Sequence, residues 1–167
     1  MRSRFQETRD GNDCLPSTRN TQNQTEIKMQ IYLAAPLFSE AEKNFNLAIA
    51  KLILENCPDV KMFLPQAIAY KNSQQIFEDC QKGVASSNII LAVMDGADAD
   101  SGTCWECGYA YALKKPIILL RTDIRNSGDS GGFNAMLLGC SVKTISGSDW
   151  REKLIPSLKQ LISLLNM

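Results

Sequence analysis

From Met29 onward the chain alternates short, almost wholly apolar runs with longer amphipathic stretches, and this alternation restricts the fold more than any other feature. Residues 29–34, 60–64, 89–94, 116–120 and 142–145 read as five strands. Residues 89–94, IILAVM, carry no polar position on either side of the pleat. Strands of that kind are buried on both faces, which implies a parallel sheet covered by helices on each side. The expected architecture is therefore α/β: a flavodoxin-like, doubly wound, five-stranded parallel sheet with helices on both faces.

The intervening segments carry helix signals. Ser39 and Glu42 have capping-box spacing. Phe45, Ala48, Ile49, Leu52 and Ile53 follow as a stripe of helical period, and Pro58 closes that helix. Residues 72–87 form a second helix with Ile76, Phe77, Cys80 and Val84 turned inward. Residues 102–114 form a third and residues 154–165 a closing helix, with Pro156 in its first turn. Residues 1–28 are rich in Arg, Asn, Gln, Thr and Ser and have no apolar period. Such a segment buries too little surface to offset its ordering entropy, so it is expected to be a disordered extension to one domain spanning residues 29–167.

In open parallel sheets ligands bind beyond the carboxyl ends of the strands. That rule selects the loops at residues 35–38, 65–69 and 95–103. The third is the densest in polar groups: Asp95, Asp98, Asp100, Ser101, Gly102 and Thr103, followed by Glu106 in what reads as the first helical turn. A helix N-terminus favours a charged carboxylate there, as a nucleophile requires. A solvated acidic loop with a capped helix fits the spacing equally well.

Composition narrows the chemistry. The chain has no histidine, so Ser-His-Asp and Cys-His sites are excluded and acid–base work falls to carboxylates, Lys, Tyr or Cys. Net charge is zero, which points away from nucleic acid and anionic membrane surfaces as partners. No apolar run approaches the roughly 18 residues of a spanning helix, and the N-terminus lacks a signal-peptide core, so a cytoplasmic protein is expected. No metal site is expected: Asp98 and Asp100 resemble a calcium loop, but Gly102 is one position early and the glutamate is misplaced. Phosphate-cradling glycine motifs are missing, so no cofactor is expected and a neutral ligand is favoured.

Six cysteines are expected to be reduced, and most read as small buried apolar residues. Cys104 and Cys107 form a CxxC pair at a helix start, which keeps a thiol–disulfide oxidoreductase as a rival reading. The neighbouring loop acids oppose it by raising thiol pKa values. Taken alone, Tyr32 reads as a core residue with a satisfied hydroxyl, and Asp79 as a helix acid close to the inward face. The Gly131–Gly132 pair reads as a turn.

Five segments in order carry a resemblance: IYLAAPLFS (residues 31–39), FLPQ (63–66), IFEDCQKGVASSNIILAVMDG (76–96), DSGTCWECGYAYALKKPIILL (100–120) and GFNAMLLG (132–139). Together they resemble the nucleoside 2-deoxyribosyltransferase family. The resemblance implies that Glu106 is the nucleophile that attacks C1' of deoxyribose. It implies that Asp100 and Asp79 handle substrate binding and proton transfer to the base, and that Tyr32 orients the nucleophile. It places Phe38 and Gln66 near the base, and makes Asn134 and Met136 a neighbouring subunit's contribution to the sugar site. The expected partners are a 2'-deoxynucleoside and a free nucleobase, with a homo-oligomer (dimer or hexamer) sharing active sites. Rival readings are a 2'-deoxynucleoside 5'-monophosphate N-glycosidase and a non-catalytic nucleoside sensor. The loop APLFSE has no cation for a phosphate, and the C-terminal LISLLNM lacks the aromatic ending common in bacterial members.

Overall fold

A computed structural model describes residues 29–69, 72–123 and 132–167. The N-terminal segment 1–28 and Gly131 lie outside them. In chain order the elements are β1 (Met29–Ala34), α1 (Glu40–Asn56), β2 (Val60–Phe63), a 3-10 turn (Pro65–Ala67), α2 (Ser73–Ser86), β3 (Ile89–Val93), α3 (Ser101–Ala112), β4 (Ile117–Arg121), α4 (Ala135–Cys140), β5 (Lys143–Ser146) and α5 (Trp150–Leu165). All five strands are parallel, in the order β2-β1-β3-β4-β5. This is the doubly wound flavodoxin order, with its switch point between β1 and β3.

The pleat divides the core into two layers. Ile31, Leu33, Ile89, Leu91, Val93, Ile118 and Leu120 pack against Ile49 and Ile53 of α1 and against Trp150, Leu154 and Leu158 of α5. The alternate residues Tyr32, Ala34, Ile90, Ala92, Ile117 and Leu119 pack against Val84 of α2, Cys107 and Ala110 of α3, and Leu137 of α4. The helices therefore cover both faces, as the apolar strands require.

Helix α1 opens as its sequence predicts. Ser39 Oγ accepts from Glu42 N at 3.2 Å, and Glu42 Oε2 accepts from Ser39 N at 2.7 Å. Its buried stripe is Asn46, Ile49, Ala50 and Ile53, and Ala48 is exposed. Asn46 earns its inward place through its amide, which donates to Pro36 O and Gln66 Oε1 at 3.0 Å each.

Three expectations about helices are corrected. Helix α5 begins at Trp150 rather than Leu154, so Pro156 lies inside it, beyond the first turn. An interior proline costs roughly 3 kcal/mol. Burial of Trp150, Leu154 and Leu158, worth about 2 kcal/mol or more apiece, outweighs that. In α2, Ile76 and Phe77 are exposed, and Gly83 and Val84 make the inward contact. The 3-10 turn lies in the loop at residues 65–69, and α4 in a segment to which the sequence pattern assigns no element. Both are too short to show a hydrophobic period.

Gly83 sets how closely α2 approaches the sheet. A Cβ there would stand 2.6 Å from Phe63 Cζ and 2.8 Å from Tyr32 Cε2. Those two rings stack with centroids 5.1 Å apart. Only glycine lets the helix lie on this stacked pair.

Candidate active site

Strand β1 delivers Tyr32 and helix α3 delivers Glu106 to one buried point. Both strand neighbours of Tyr32, Phe63 on β2 and Ile90 on β3, are in register, so its ring is held at the switch point of the sheet. Its hydroxyl donates to Glu106 Oε1 at 2.5 Å. Tyr32 is fully buried, and burial and the nearby Glu106 charge hold its pKa well above the ordinary tyrosine value. It therefore stays protonated and acts as a donor.

Glu106 is 9% exposed. It is the sixth residue of α3, so it lies in the second turn rather than the first. The helix dipole fades within the first turn, and burial takes over. Burial is the largest influence and pushes the Glu106 pKa to about 7. The Tyr32 hydrogen bond lowers it, the negative charge of Asp100 raises it, and a hydrogen bond with Cys80 lowers it. The expectation that the helix terminus keeps Glu106 ionised is thus replaced. The carboxylate is poised between its two forms near neutrality.

Asp100 is the N-cap of α3. Its Oδ2 accepts from Thr103 N at 2.8 Å and from Thr103 Oγ1 at 3.0 Å. These bonds fix the start of the helix that carries Glu106. Asp79 is half-buried on α2, directly before Cys80. Cys80 contributes to the pKa shifts of both Tyr32 and Glu106, raising the first and lowering the second. The sequence marks Cys80 only as an inward-facing helix residue, because its partners come from β1 and α3 and no local pattern contains them.

The loop after β3 is tied to the end of β4. Asp95 accepts from Thr122 N at 2.6 Å and from Asp123 N at 2.9 Å. Arg121, almost fully buried, donates to Met94 O and to Gly96 O, the latter at 2.9 Å. A charged residue closing an apolar strand is held here through its two terminal nitrogens by the carbonyls of the neighbouring loop.

The remaining predicted residues sit apart from this pair. Phe38 is 77% exposed in the loop after β1. Gln66 bridges backbone and side chain, donating to Lys43 O at 3.0 Å and accepting from Asn46. Asn134 caps α4 by accepting from Leu137 N at 3.0 Å, and Met136 is 82% exposed. Asn134 and Met136 line a groove of about 480 Å³ with Cys104, Gly108, Tyr111 and Cys140, between α3 and α4. A second groove of about 430 Å³ lies at the carboxyl ends of β1 and β3 on the α1 side, lined in part by Pro36, Glu42, Phe45 and Asp95.

Cys104 and Cys107 do not have the character of a redox dithiol. Both thiols are free, and burial, the largest cause for each, raises their pKa values; Asp100 raises Cys104 further. Reactive cysteines need the opposite shift. Among the described residues no group of three or more Cys, Asp or Glu side chains is placed to hold a metal ion. No helix among them is long and apolar enough to cross a membrane.

Comparison with known proteins identifies the family and the fold. The profile of the family described as nucleoside 2-deoxyribosyltransferase matches residues 31–145. A conserved protein of Enterococcus faecalis superposes with a TM-score of 0.69 at 26% identity, over 79% of this chain and 98% of that one. A 2-deoxyribosyltransferase of Bacillus psychrosaccharolyticus gives 0.58 at 23% identity, over 74% and 88%. A CMP N-glycosidase of Clostridium botulinum gives 0.56 at 18% identity, over 78% and 98%. The last two likenesses bear on the fold alone. No curated protein sequence matches the chain.

Proposed function

The chain belongs to the nucleoside 2-deoxyribosyltransferase family, and from that premise we propose that it exchanges the nucleobase of 2'-deoxynucleosides by double displacement, with Glu106 as nucleophile. The observation that carries this reading is the buried Tyr32–Glu106 pair at the switch point of the sheet.

The chemistry follows from the groups present. Departure of the base leaves an oxocarbenium-like sugar, and deoxyribose reaches that state readily because no electron-withdrawing 2'-hydroxyl opposes the charge. An ionised Glu106 stabilises the cation and closes on C1', forming a 2-deoxyribosyl ester. Asp79 or Asp100 passes a proton to the departing base. A second base then loses a proton to the same acid and attacks C1', which releases Glu106 with net retention. Tyr32 aims one carboxylate oxygen and stabilises the anion without taking its proton. Phe38 and Gln66 would contribute to the base-binding wall. Asn134 and Met136, exposed on their own chain, would reach the sugar site of a neighbouring subunit in a homo-oligomer.

The second reading is hydrolysis of 2'-deoxynucleoside 5'-monophosphates, prompted by the similarity to the CMP N-glycosidase fold. The charges favour a neutral ligand instead. The loop after β1 has no cation, Glu40 and Glu42 lie in the first turn of the helix that follows it, Asp95 and Asp123 lie close by, and Arg121 is engaged with loop carbonyls. A dianionic phosphate would meet repulsion there.

Incubation with thymidine and adenine, followed by chromatography, separates the readings. Formation of deoxyadenosine supports transfer. Release of free deoxyribose alone supports hydrolysis of the nucleoside. Unchanged thymidine, with release of thymine and deoxyribose 5-phosphate from thymidine 5'-monophosphate in a parallel incubation, supports the second reading, and no change in either supports a nucleoside sensor.

A further inference from the structure

Among the buried polar side chains of the described residues, Asn46 on α1 has no part in the chemistry at Glu106, yet it is only 4% exposed. Asparagine is a poor helix former, and a buried amide is costly unless it is hydrogen-bonded. Its Nδ2 finds an acceptor for each of its two hydrogens, Pro36 O and Gln66 Oε1, both at 3.0 Å. Gln66 Nε2 donates in turn to Lys43 O at 3.0 Å. This chain of bonds begins and ends on backbone carbonyls, which only accept. The order of donors and acceptors is therefore fixed: Asn46 turns its NH2 towards Pro36, and Gln66 turns its oxygen towards Asn46. At the start of the same helix, Glu42 Oε2 accepts from Phe38 N at 2.9 Å. The first turns of α1 thus hold both the loop after β1 and the turn after β2.

We propose that Asn46 is the positioning residue of the base-binding wall: its amide fixes which way Gln66 faces the nucleobase and anchors the loop that carries Phe38. The inference rests on the reading that Phe38 and Gln66 meet the base. With one N–H and one lone pair engaged, the Gln66 amide keeps one N–H and one lone pair for a ligand, in a set order. A nucleobase edge also carries its donors and acceptors in a set order, so the orientation of the amide decides whether the two match. Without Asn46 the terminal sp³–sp² torsion of Gln66 is soft, and the amide is free to turn over. Ordering it again on binding costs affinity. The Tyr32–Glu106 bond does not share these contacts: α1 packs on one face of the sheet, and Tyr32 lies on the other.

The test uses Asn46→Ala, Gln66→Ala and the double variant in the full chain, with melting curves to confirm folding. Asn46→Ser is a second variant, because its short side chain cannot span both acceptors. KM for thymidine and for adenine rises about threefold to tenfold in Asn46→Ala and Asn46→Ser, while kcat stays within about twofold of wild type and the acidic limb of the pH–rate profile does not move. A merely loosened fold would lower kcat and shift that limb, which overturns the proposal. The KM effect in the double variant falls about threefold or more short of the product of the single effects, because Asn46 acts through Gln66. An unchanged KM in Asn46→Ala and Asn46→Ser, or single effects that multiply in the double variant, also overturns it. If the wild type exchanges no base but calorimetry shows thymidine binding weakened by the same factor in Asn46→Ala, the transferase reading fails while the role of Asn46 stands. Thymidine binding that Asn46→Ala leaves intact overturns that role.

Discussion

The Tyr32 hydroxyl donates a 2.5 Å hydrogen bond to Glu106 Oε1, joining residues 74 positions apart in the chain. Strand β1 and helix α3 meet there because the sheet order places β1 beside β3, and α3 follows β3. The bond connects the fold to its chemistry. One partner is a strand residue locked by its neighbours, and the other is the only acid among the buried polar residues of the described chain.

The pH dependence of base exchange follows from the burial of Glu106. Its pKa is raised from 4.5 to about 7, chiefly by desolvation. The nucleophile must be ionised, so kcat/KM of the free enzyme falls on the acidic side with a midpoint close to that value. A pH–rate profile for any accepted deoxynucleoside checks this.

Removing the hydroxyl at Tyr32 should weaken the nucleophile in two ways. Tyr32→Phe deletes a contact that lowers the Glu106 pKa, so the acidic limb moves to higher pH by about one unit. It also frees the carboxylate to rotate, and kcat should fall on the order of tenfold to a hundredfold at neutral pH. The ring remains to stack on Phe63, so melting temperature changes little. Parallel rate and melting measurements separate these effects.

A buried acid with a raised pKa favours the folded state only while protonated. Its stabilising proton is fully present below pH 4.5 and is lost as pH rises through about 7. Above that range folding carries the cost of a desolvated charge. Glu106→Gln should therefore stabilise the protein by on the order of 3 kcal/mol at pH 8 and by under about 1 kcal/mol at pH 5. Denaturant melts at the two pH values test it, and the same variant should exchange no base.

Gly83→Ala should destabilise the fold although alanine is the better helix former. The gain in helix propensity is about 1 kcal/mol. The added carbon would stand 2.6 Å from Phe63 and 2.8 Å from Tyr32, whose stacked rings move only together. Overpacking of this kind costs about 1–3 kcal/mol, and the shift of Tyr32 reaches Glu106. A lower melting temperature with a lower kcat is expected; full activity with a higher melting temperature would show that α2 adjusts freely.

The strands were legible because burial on both faces leaves an unmistakable composition, as in residues 89–94. Ser39 with Glu42 marked the start of α1 because a capping box is local. Other features depend on partners far along the chain. Asn46 is inside because of Pro36 and Gln66, and α5 crosses Pro156 because Trp150 finds the core. At the site, the position of Glu106 on α3 could be read, but its burial could not. The sequence suggested a helix-terminal carboxylate, and the packing of α2 and β1 makes it a desolvated one. Cys80 joins the site through the same packing.

The central claim is that Glu106 carries the sugar covalently. It is tested most directly by quenching the enzyme in acid during turnover of a 2'-deoxynucleoside without acceptor base, then mapping its peptides by mass spectrometry. The account predicts one 2-deoxyribosyl group on the peptide containing Glu106, removed by added nucleobase and missing from Glu106→Gln. Turnover with no adduct, or an adduct on any other residue, would contradict it.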